Sequence, residues 1–212
     1  MKQVLVRRGG AVVEDVPAPG VSPRSLLVRV AYSCVSPGTE QSNIKLSGLP
    51  LYRRALKQPE HVSRVLEVAR EQGFKRTFDR VRGQLAAGLP TGYSAAGTVI
   101  EVGEQVAAFA VGDRVACAGA GVANHAEVID VPVNLAVKIP EGLDVDEAAT
   151  VTLGAIALQG VRRAAPTLGE AVGVIGLGLV GQLTVQLLSA SGCRVIGADL
   201  DPHRIEQHSM AV

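Results

Sequence analysis

Residues 171–201 read AVGVIGLGLVGQLTVQLLSASGCRVIGADLD. Val172, Val174 and Ile175 form a β-branched run of the kind a parallel strand buried on both faces requires, and the run stops at Gly176. Gly176-Leu177-Gly178-Leu179-Val180-Gly181 then fits G-x-G-x-x-G. In that pattern the first glycine permits a tight turn, the second lets backbone approach a pyrophosphate, and the third lets the following helix pack close to the strand. The diphosphate is expected on the free N–H groups that open the helix. Leu183, Val185, Leu187 and Leu188 supply the helix's apolar side, Gly192 ends it, and Cys193 to Ala198 reads as a second strand. Asp199 follows Gly181 by 18 residues, the usual distance for the carboxylate that accepts hydrogen bonds from the adenosine ribose. Its charge repels a 2′-phosphate, so the expected cofactor is NAD rather than NADP. Gly176, Gly178, Leu179, Val180, Gly181 and Asp199 are the expected cofactor-binding residues. Asp201 competes for the ribose role, but it precedes Pro202 and reads as the cap of the next helix.

Composition sets outer bounds. The chain has 212 residues, 47% of them hydrophobic, and a net charge of +1, which suits one large or two small domains and argues against a nucleic-acid surface. It has no run of 18 apolar residues, and the opening MKQVLVRRGG lacks the apolar stretch of a signal peptide, so the expectation is a cytoplasmic protein with no membrane partner. Cys34, Cys117 and Cys193 are far apart and odd in number, as in a reducing compartment, and each reads as a small core residue.

The first 140 or so residues alternate strand patterns with turn signals. Lys2 to Val6, Ala11 to Val16, Leu26 to Val35, Gly97 to Val102, Asp113 to Cys117, Ala126 to Val131 and Leu135 to Lys138 read as strands. Pro19-Gly20, Gly112-Asp113 and Pro140 punctuate them, as in a compact β-barrel. Residues 51–87 interrupt this pattern with a basic, helix-like insertion whose charges read as a solvated face. A single helix is then expected over Asp144 to Arg163, with Asp144 as N-cap and Glu147 as its capping-box partner.

A barrel, a bridging helix and then G-x-G-x-x-G is the order of the medium-chain dehydrogenase/reductase family. The stretches GTVIEVGEQVAAFAVGDRVA, ANHAEVIDVPVNLAVKIPEGLDVDEAAT and VGVIGLGLVGQLTVQLL resemble its barrel signature, barrel exit and cofactor strand. VSPGTE and the insertion before PTGYSAAG resemble one branch, the N-terminal half of bacterial two-domain oxidoreductases, whose context implies sugar-like substrates. The resemblance implies an α/β protein: a GroES-like barrel over 1–143 carrying the insertion, followed over 144–212 by the bridging helix and the first βαβ of a Rossmann domain. It implies hydride transfer to or from an alcohol or carbonyl.

Zinc-dependent members of the family carry ligands in C-G-T-D, in G-H-E and on the bridging helix, because catalytic zinc takes three protein ligands and keeps an open position. By this resemblance those positions fall on Pro37, Tyr93 and Leu153, none of which replaces thiolate or imidazole. The four-cysteine structural lobe is also absent, since VACAGAGVANHA runs straight through its place. No zinc is therefore expected; His125 and Glu40 remain a pair able to bind some metal, though a lone histidine is more often simply hydrogen-bonded. Without metal, the substrate oxygen needs another proton partner. The family pattern places its relay hydroxyl at Thr39 and the former metal cavity at Tyr93, so Tyr93 is expected as proton donor or oxyanion stabiliser, Thr39 as orienting hydroxyl, and His125 and Ser36 as weaker candidates.

A complete dinucleotide fold needs two mononucleotide halves, and residues 171–212 supply the first two strands and the start of a further helix. Two readings stay open: a fragment or truncated product of an NAD-dependent oxidoreductase, active only when the remainder is present and with that C-terminal part or another copy of the chain as its expected partner, or a non-catalytic remnant or interaction module lacking a complete cofactor site.

Overall fold

Leu26 and Val28 on one strand, with Val99, Val115, Cys117 and Val131 on other strands of the same sheet, are almost wholly inaccessible to solvent, and they define the core around which the barrel is built. The computed structural model describes residues 1–50, 53 and 88–210. Expectations for the helical insertion over 51–87 therefore lie outside the described residues, apart from Arg53.

Five antiparallel strands carry that core in the order β7-β3-β5-β6-β8: β3 (Ser25–Ser33), β5 (Ser94–Val102), β6 (Arg114–Ala118), β7 (Val128–Pro132) and β8 (Ala136–Lys138). Beside it lies a smaller sheet, β2-β1-β4, formed by β1 (Lys2–Arg7), β2 (Gly10–Asp15) and the two-residue β4 (Leu89–Pro90). The hydrophobic pattern explains the strand positions, since side chains of period two alternate between core and exterior.

One irregularity has consequences for the site. In the β3–β5 ladder Val30 faces Gly97 while Tyr32 faces Ala96, so Ala31 is an extra residue on β3. A bulge of this kind resets which face the following side chains occupy. Tyr32 is 54% exposed as a result, and Ser33 turns inward toward His125.

Two elements depart from the sequence expectation. Pro37–Ser47 forms a helix, α1, that the apolar pattern does not announce, because Ile44 and Leu46 are its only large apolar residues. The readable signal was Ser36-Pro37, a cap-type residue before a proline at the first helical position. The expected helix over Asp144 to Arg163 is divided into α2 (Val145–Ala148) and α3 (Val151–Ala164). The cause is Ser94, fully buried at the start of β5. Its hydroxyl donates to the Ala149 carbonyl oxygen at 2.7 Å and accepts the Thr152 N–H at 3.1 Å, entering the helical ladder where it breaks. Asp144 occupies the N-cap position of α2, but its side chain makes no capping hydrogen bond, so the expected capping box does not form.

Ala96 and Ala116 of the barrel meet Ala148 and Ala149, and these small side chains let α2 close on the sheet. Helix α3 leads to a two-stranded parallel sheet, β9 (Ala171–Ile175) and β10 (Arg194–Ala198), joined by α4 (Leu179–Ala190) and followed by α5 (Pro202–Met210). Helices α3 and α4 pack together, with Leu153, Ala157 and Val161 buried on one and Val185 and Leu188 on the other. Gly192 ends α4 with φ +78°, and the Cys193 and Gly192 N–H groups bond the Leu188 and Ser189 carbonyls in a Schellman motif.

Ser94→Ala leaves the Ala149 carbonyl and Thr152 N–H without this partner. Urea unfolding is expected to show a loss of about 1–3 kcal/mol, and an unchanged midpoint would rule out the hydroxyl as the tie between β5 and the helices.

Candidate functional site

At the barrel's end the sequence brings together four side chains from separate segments. The Glu40 carboxylate, in the first turns of α1, accepts the Ser36 N–H at 3.0 Å and lies 3.0 Å from His125 Nε2. The other ring nitrogen of His125, Nδ1, is 2.8 Å from Ser33 Oγ. A carboxylate only accepts, so in the neutral imidazole Nε2 carries the proton and Nδ1 accepts from the Ser33 hydroxyl. Both members of this hydrogen-bonded pair are largely buried, His125 at 8% and Glu40 at 14% side-chain exposure. Next to them the Cys34 thiol is pushed up in pKa, first by burial and then by the Glu40 charge, so it stays protonated at neutral pH.

The expected proton-handling residues are distributed around this cluster. Thr39 adjoins Glu40 on α1 and is exposed, while Tyr93 is half-buried after Gly92, its carbonyl accepting the Gly119 N–H and the Thr152 hydroxyl. Among the described residues neither the Thr39 hydroxyl nor the Tyr93 phenol has a hydrogen-bond partner. Pro37 heads α1, and Leu153 is sealed within α3 with 1% exposure. No three histidine, cysteine or acidic side chains among the described residues gather as a metal-binding group. The donor chemistry at these positions therefore does not fit a catalytic zinc. The sequence named His125 and Glu40 together only as a pair able to bind some metal, whereas the structure joins them by a hydrogen bond; Ser33 carried no signal at all, because the bulge in β3 brings it there.

The glycine turn forms the second part of the site. Gly176 adopts φ +92°, a conformation that favours glycine, and a Cβ on Gly181 would stand 1.9 Å from the Gly176 carbonyl oxygen. Gly178 is the N-cap of α4, so the helix's unpaired N–H groups open beside the turn. Asp199, at the end of β10, locks the arrangement: its carboxylate accepts the Leu177 N–H at 2.6 Å and the Asp201 N–H at 2.9 Å. Those two backbone bonds, with the Arg204 guanidinium 3.6 Å away, hold the Asp199 carboxyl below its ordinary pKa. Asp201 accepts the His203 N–H at 3.1 Å and caps α5. Ile175, Gly176, Asp199, Leu200, Asp201 and Arg204 line a cleft of about 810 Å³ beside the turn.

Residues 72–141 match the alcohol dehydrogenase GroES-like domain. Over 133 residues the chain is 34% identical to the D-guloside 3-dehydrogenases of Escherichia coli K12 and Shigella flexneri, covering 62% of this chain and 37% of theirs. It is 32% identical over 158 residues to a quinone oxidoreductase of Pseudomonas aeruginosa, covering 72% of this chain and 48% of that one. The structure of galactitol-1-phosphate dehydrogenase from Escherichia coli superposes with a TM-score of 0.75 at 18% identity, across 100% of this chain and 59% of that protein. The chain has the medium-chain dehydrogenase/reductase fold, with an alcohol dehydrogenase GroES-like domain matched over residues 72–141. Its barrel and parallel β/α segment correspond to the N-terminal part of that fold. The chain spans well under half the length of the guloside dehydrogenases it matches. No helix among the described residues is long and apolar enough to cross a membrane.

Two outcomes test the glycine turn. Gly181→Ala forces the helix and turn apart and is expected to cost about 1–3 kcal/mol in chemical unfolding; a neutral result would contradict the close approach. For Asp199 the folded pKa lies below the unfolded value, so its stabilisation is complete above about pH 4 and is lost as pH falls through the folded pKa. The stability gap between the native chain and Asp199→Asn should be constant near neutrality and close in acid. Parallel acid-unfolding curves would dismiss the lock.

Proposed function

We propose that this chain supplies the barrel and the first half of the cofactor site of a zinc-independent, NAD-dependent oxidoreductase acting on an alcohol or carbonyl of a small, sugar-like molecule. The observation that carries the reading is the glycine turn bonded to Asp199 at the N-terminus of α4, in a chain whose barrel offers a phenol and hydroxyl in place of the thiolate and imidazole of a zinc site. We take residues 1–143 as the barrel domain and 144–212 as the start of the cofactor domain, and place the protein in the cytoplasm.

NAD, when bound, accepts or delivers the hydride. The chain's own residues do the rest. The first N–H groups of α4 receive the diphosphate, and Leu179, Val180 and Gly181 supply its backbone there. Asp199 already accepts two backbone N–H groups, and a carboxylate has room for the ribose hydroxyls as well. Its charge disfavours a 2′-phosphate. Tyr93 holds the substrate oxygen and exchanges a proton with it through the phenol, while Thr39 orients that oxygen with its hydroxyl. The donor chemistry at Pro37, Tyr93 and Leu153 supports a reaction that proceeds without zinc. The similarity to D-guloside 3-dehydrogenase supports a polyhydroxylated substrate.

A second reading, a non-catalytic interaction module, draws on the uncovered apolar face of the parallel sheet, where Ile175 is 93% and Ile196 61% exposed. Titration with NADH separates the two. Enhanced nicotinamide fluorescence, stronger for NADH than for NADPH, supports the oxidoreductase. Silence supports the module. With turnover established on methyl D-guloside, Tyr93→Phe is expected to lower kcat by about 10²-fold or more, and Thr39→Val by a smaller factor; wild-type rates in Tyr93→Phe would remove the phenol from the mechanism.

A further inference from the structure

His125 sits between the two segments that carry Thr39 and Tyr93, and every polar group it has is engaged. On one side its Nε2 meets the Glu40 carboxylate at 3.0 Å, and Glu40 follows Thr39 directly in α1. The same carboxylate oxygen accepts the Ser36 N–H, so the entire first turn of α1 is fastened to the imidazole. On the other side the His125 N–H donates to the Thr91 carbonyl at 2.8 Å. Gly92, immediately before Tyr93, is pressed against the same residue: a Cβ there would stand 2.7 Å from the His125 nitrogen and 2.9 Å from ring atom Cγ. From behind, Ser33 bonds Nδ1, and Val4 donates its N–H to the His125 carbonyl at 2.8 Å. The ring cannot rotate or slide without breaking one of these contacts.

With both ring nitrogens occupied and the side chain nearly closed to solvent, the imidazole is not free to meet a substrate. We propose that Glu40 and His125 are positioning residues, a buried clamp that sets the location of Tyr93 relative to Thr39. The proposal rests on the roles given above to those two hydroxyls. The clamp works by hydrogen-bond geometry. A carboxamide at position 40 keeps an oxygen that accepts both the Ser36 N–H and the Nε2–H, whereas a methyl group keeps neither. Removing the carboxylate alone therefore leaves the spacing intact, and removing the acceptor releases α1. The conservative variant is thus the internal control, because it separates acceptor geometry from charge. Gly92→Ala attacks the opposite jaw, where the added carbon must displace either the ring or the loop that leads to Tyr93.

The test uses the full chain labelled with 3-fluorotyrosine, with the Tyr93 resonance assigned by Tyr93→Phe, together with hydride transfer measured as NAD reduction by methyl D-guloside. Folded fraction is measured in parallel by circular dichroism. The expected result is a displaced or broadened Tyr93 signal in Glu40→Ala and Gly92→Ala, an unmoved signal in Glu40→Gln, and a kcat at least tenfold lower in Glu40→Ala at unchanged NADH affinity, restored to within threefold in Glu40→Gln. An unmoved Tyr93 signal in folded Glu40→Ala overturns the clamp, as does a fall in Tm with kcat per folded molecule unaltered. If the unmodified chain turns over no guloside while the fluorine signals respond as expected, the clamp stands as the element that fixes Tyr93 and the hydride reading fails.

Discussion

One buried hydroxyl joins the two halves of this chain. Ser94 opens β5 in the heart of the barrel, yet its hydrogen bonds go to Ala149 and Thr152 in the helices that lead to the cofactor motif. A fully buried hydroxyl without partners would be costly, so the sheet and the helices must meet in the register that satisfies it. Thr152 reinforces the link by bonding the carbonyl of Tyr93, the residue next to Ser94. The peptide that presents Tyr93 is therefore fixed by the bridging helix as well as by its own sheet. The alanines of β5, β6 and α2 contribute shape alone, being small enough for the layers to approach.

The cofactor segment is organised by a different constraint, backbone approaching backbone. Gly181 lies so near the Gly176 carbonyl that no side chain fits between them, and the Asp199 carboxylate reaches back to the Leu177 N–H within the turn. The acid at the end of the second strand is thus a structural member of the turn before any ligand arrives. On the proposed function, preorganisation of this kind would lower the cost of binding a diphosphate at the helix start. The medium-chain dehydrogenase/reductase fold accounts for the order of these parts, while the carboxylate's bonds explain why the turn holds its shape.

At the barrel's end, local chemistry is set by what surrounds one imidazole. His125 gains a carboxylate on one nitrogen and a hydroxyl on the other, and the pairing satisfies polar groups that would be expensive to bury alone. The carboxylate is tied to the start of α1, so electrostatics and helix placement are coupled at a single atom. Cys34 shares the environment, and the rise in its pKa leaves a neutral thiol there.

The sequence by itself determined the main barrel strands and the strand, turn, helix and strand order of the glycine-rich segment. Alternating apolar residues announced the barrel strands, and the run from Val172 to Asp199 announced strand, turn, helix and strand, because period-two patterns, glycine turns and capping residues act over a few neighbouring positions. The same locality explains Asp201 at the start of α5 and Gly192 at the end of α4. Tertiary structure decided whatever depends on residues distant in the chain. Helix α1 lacks an apolar stripe and is held through Glu40 to His125, 85 residues away. The expected single bridging helix is two helices because Ser94, from another layer, enters its ladder. Ser33 reaches the imidazole because one extra residue in β3 reverses the faces of the strand, and a bulge arises from pairing with a partner that the strand's own pattern does not contain.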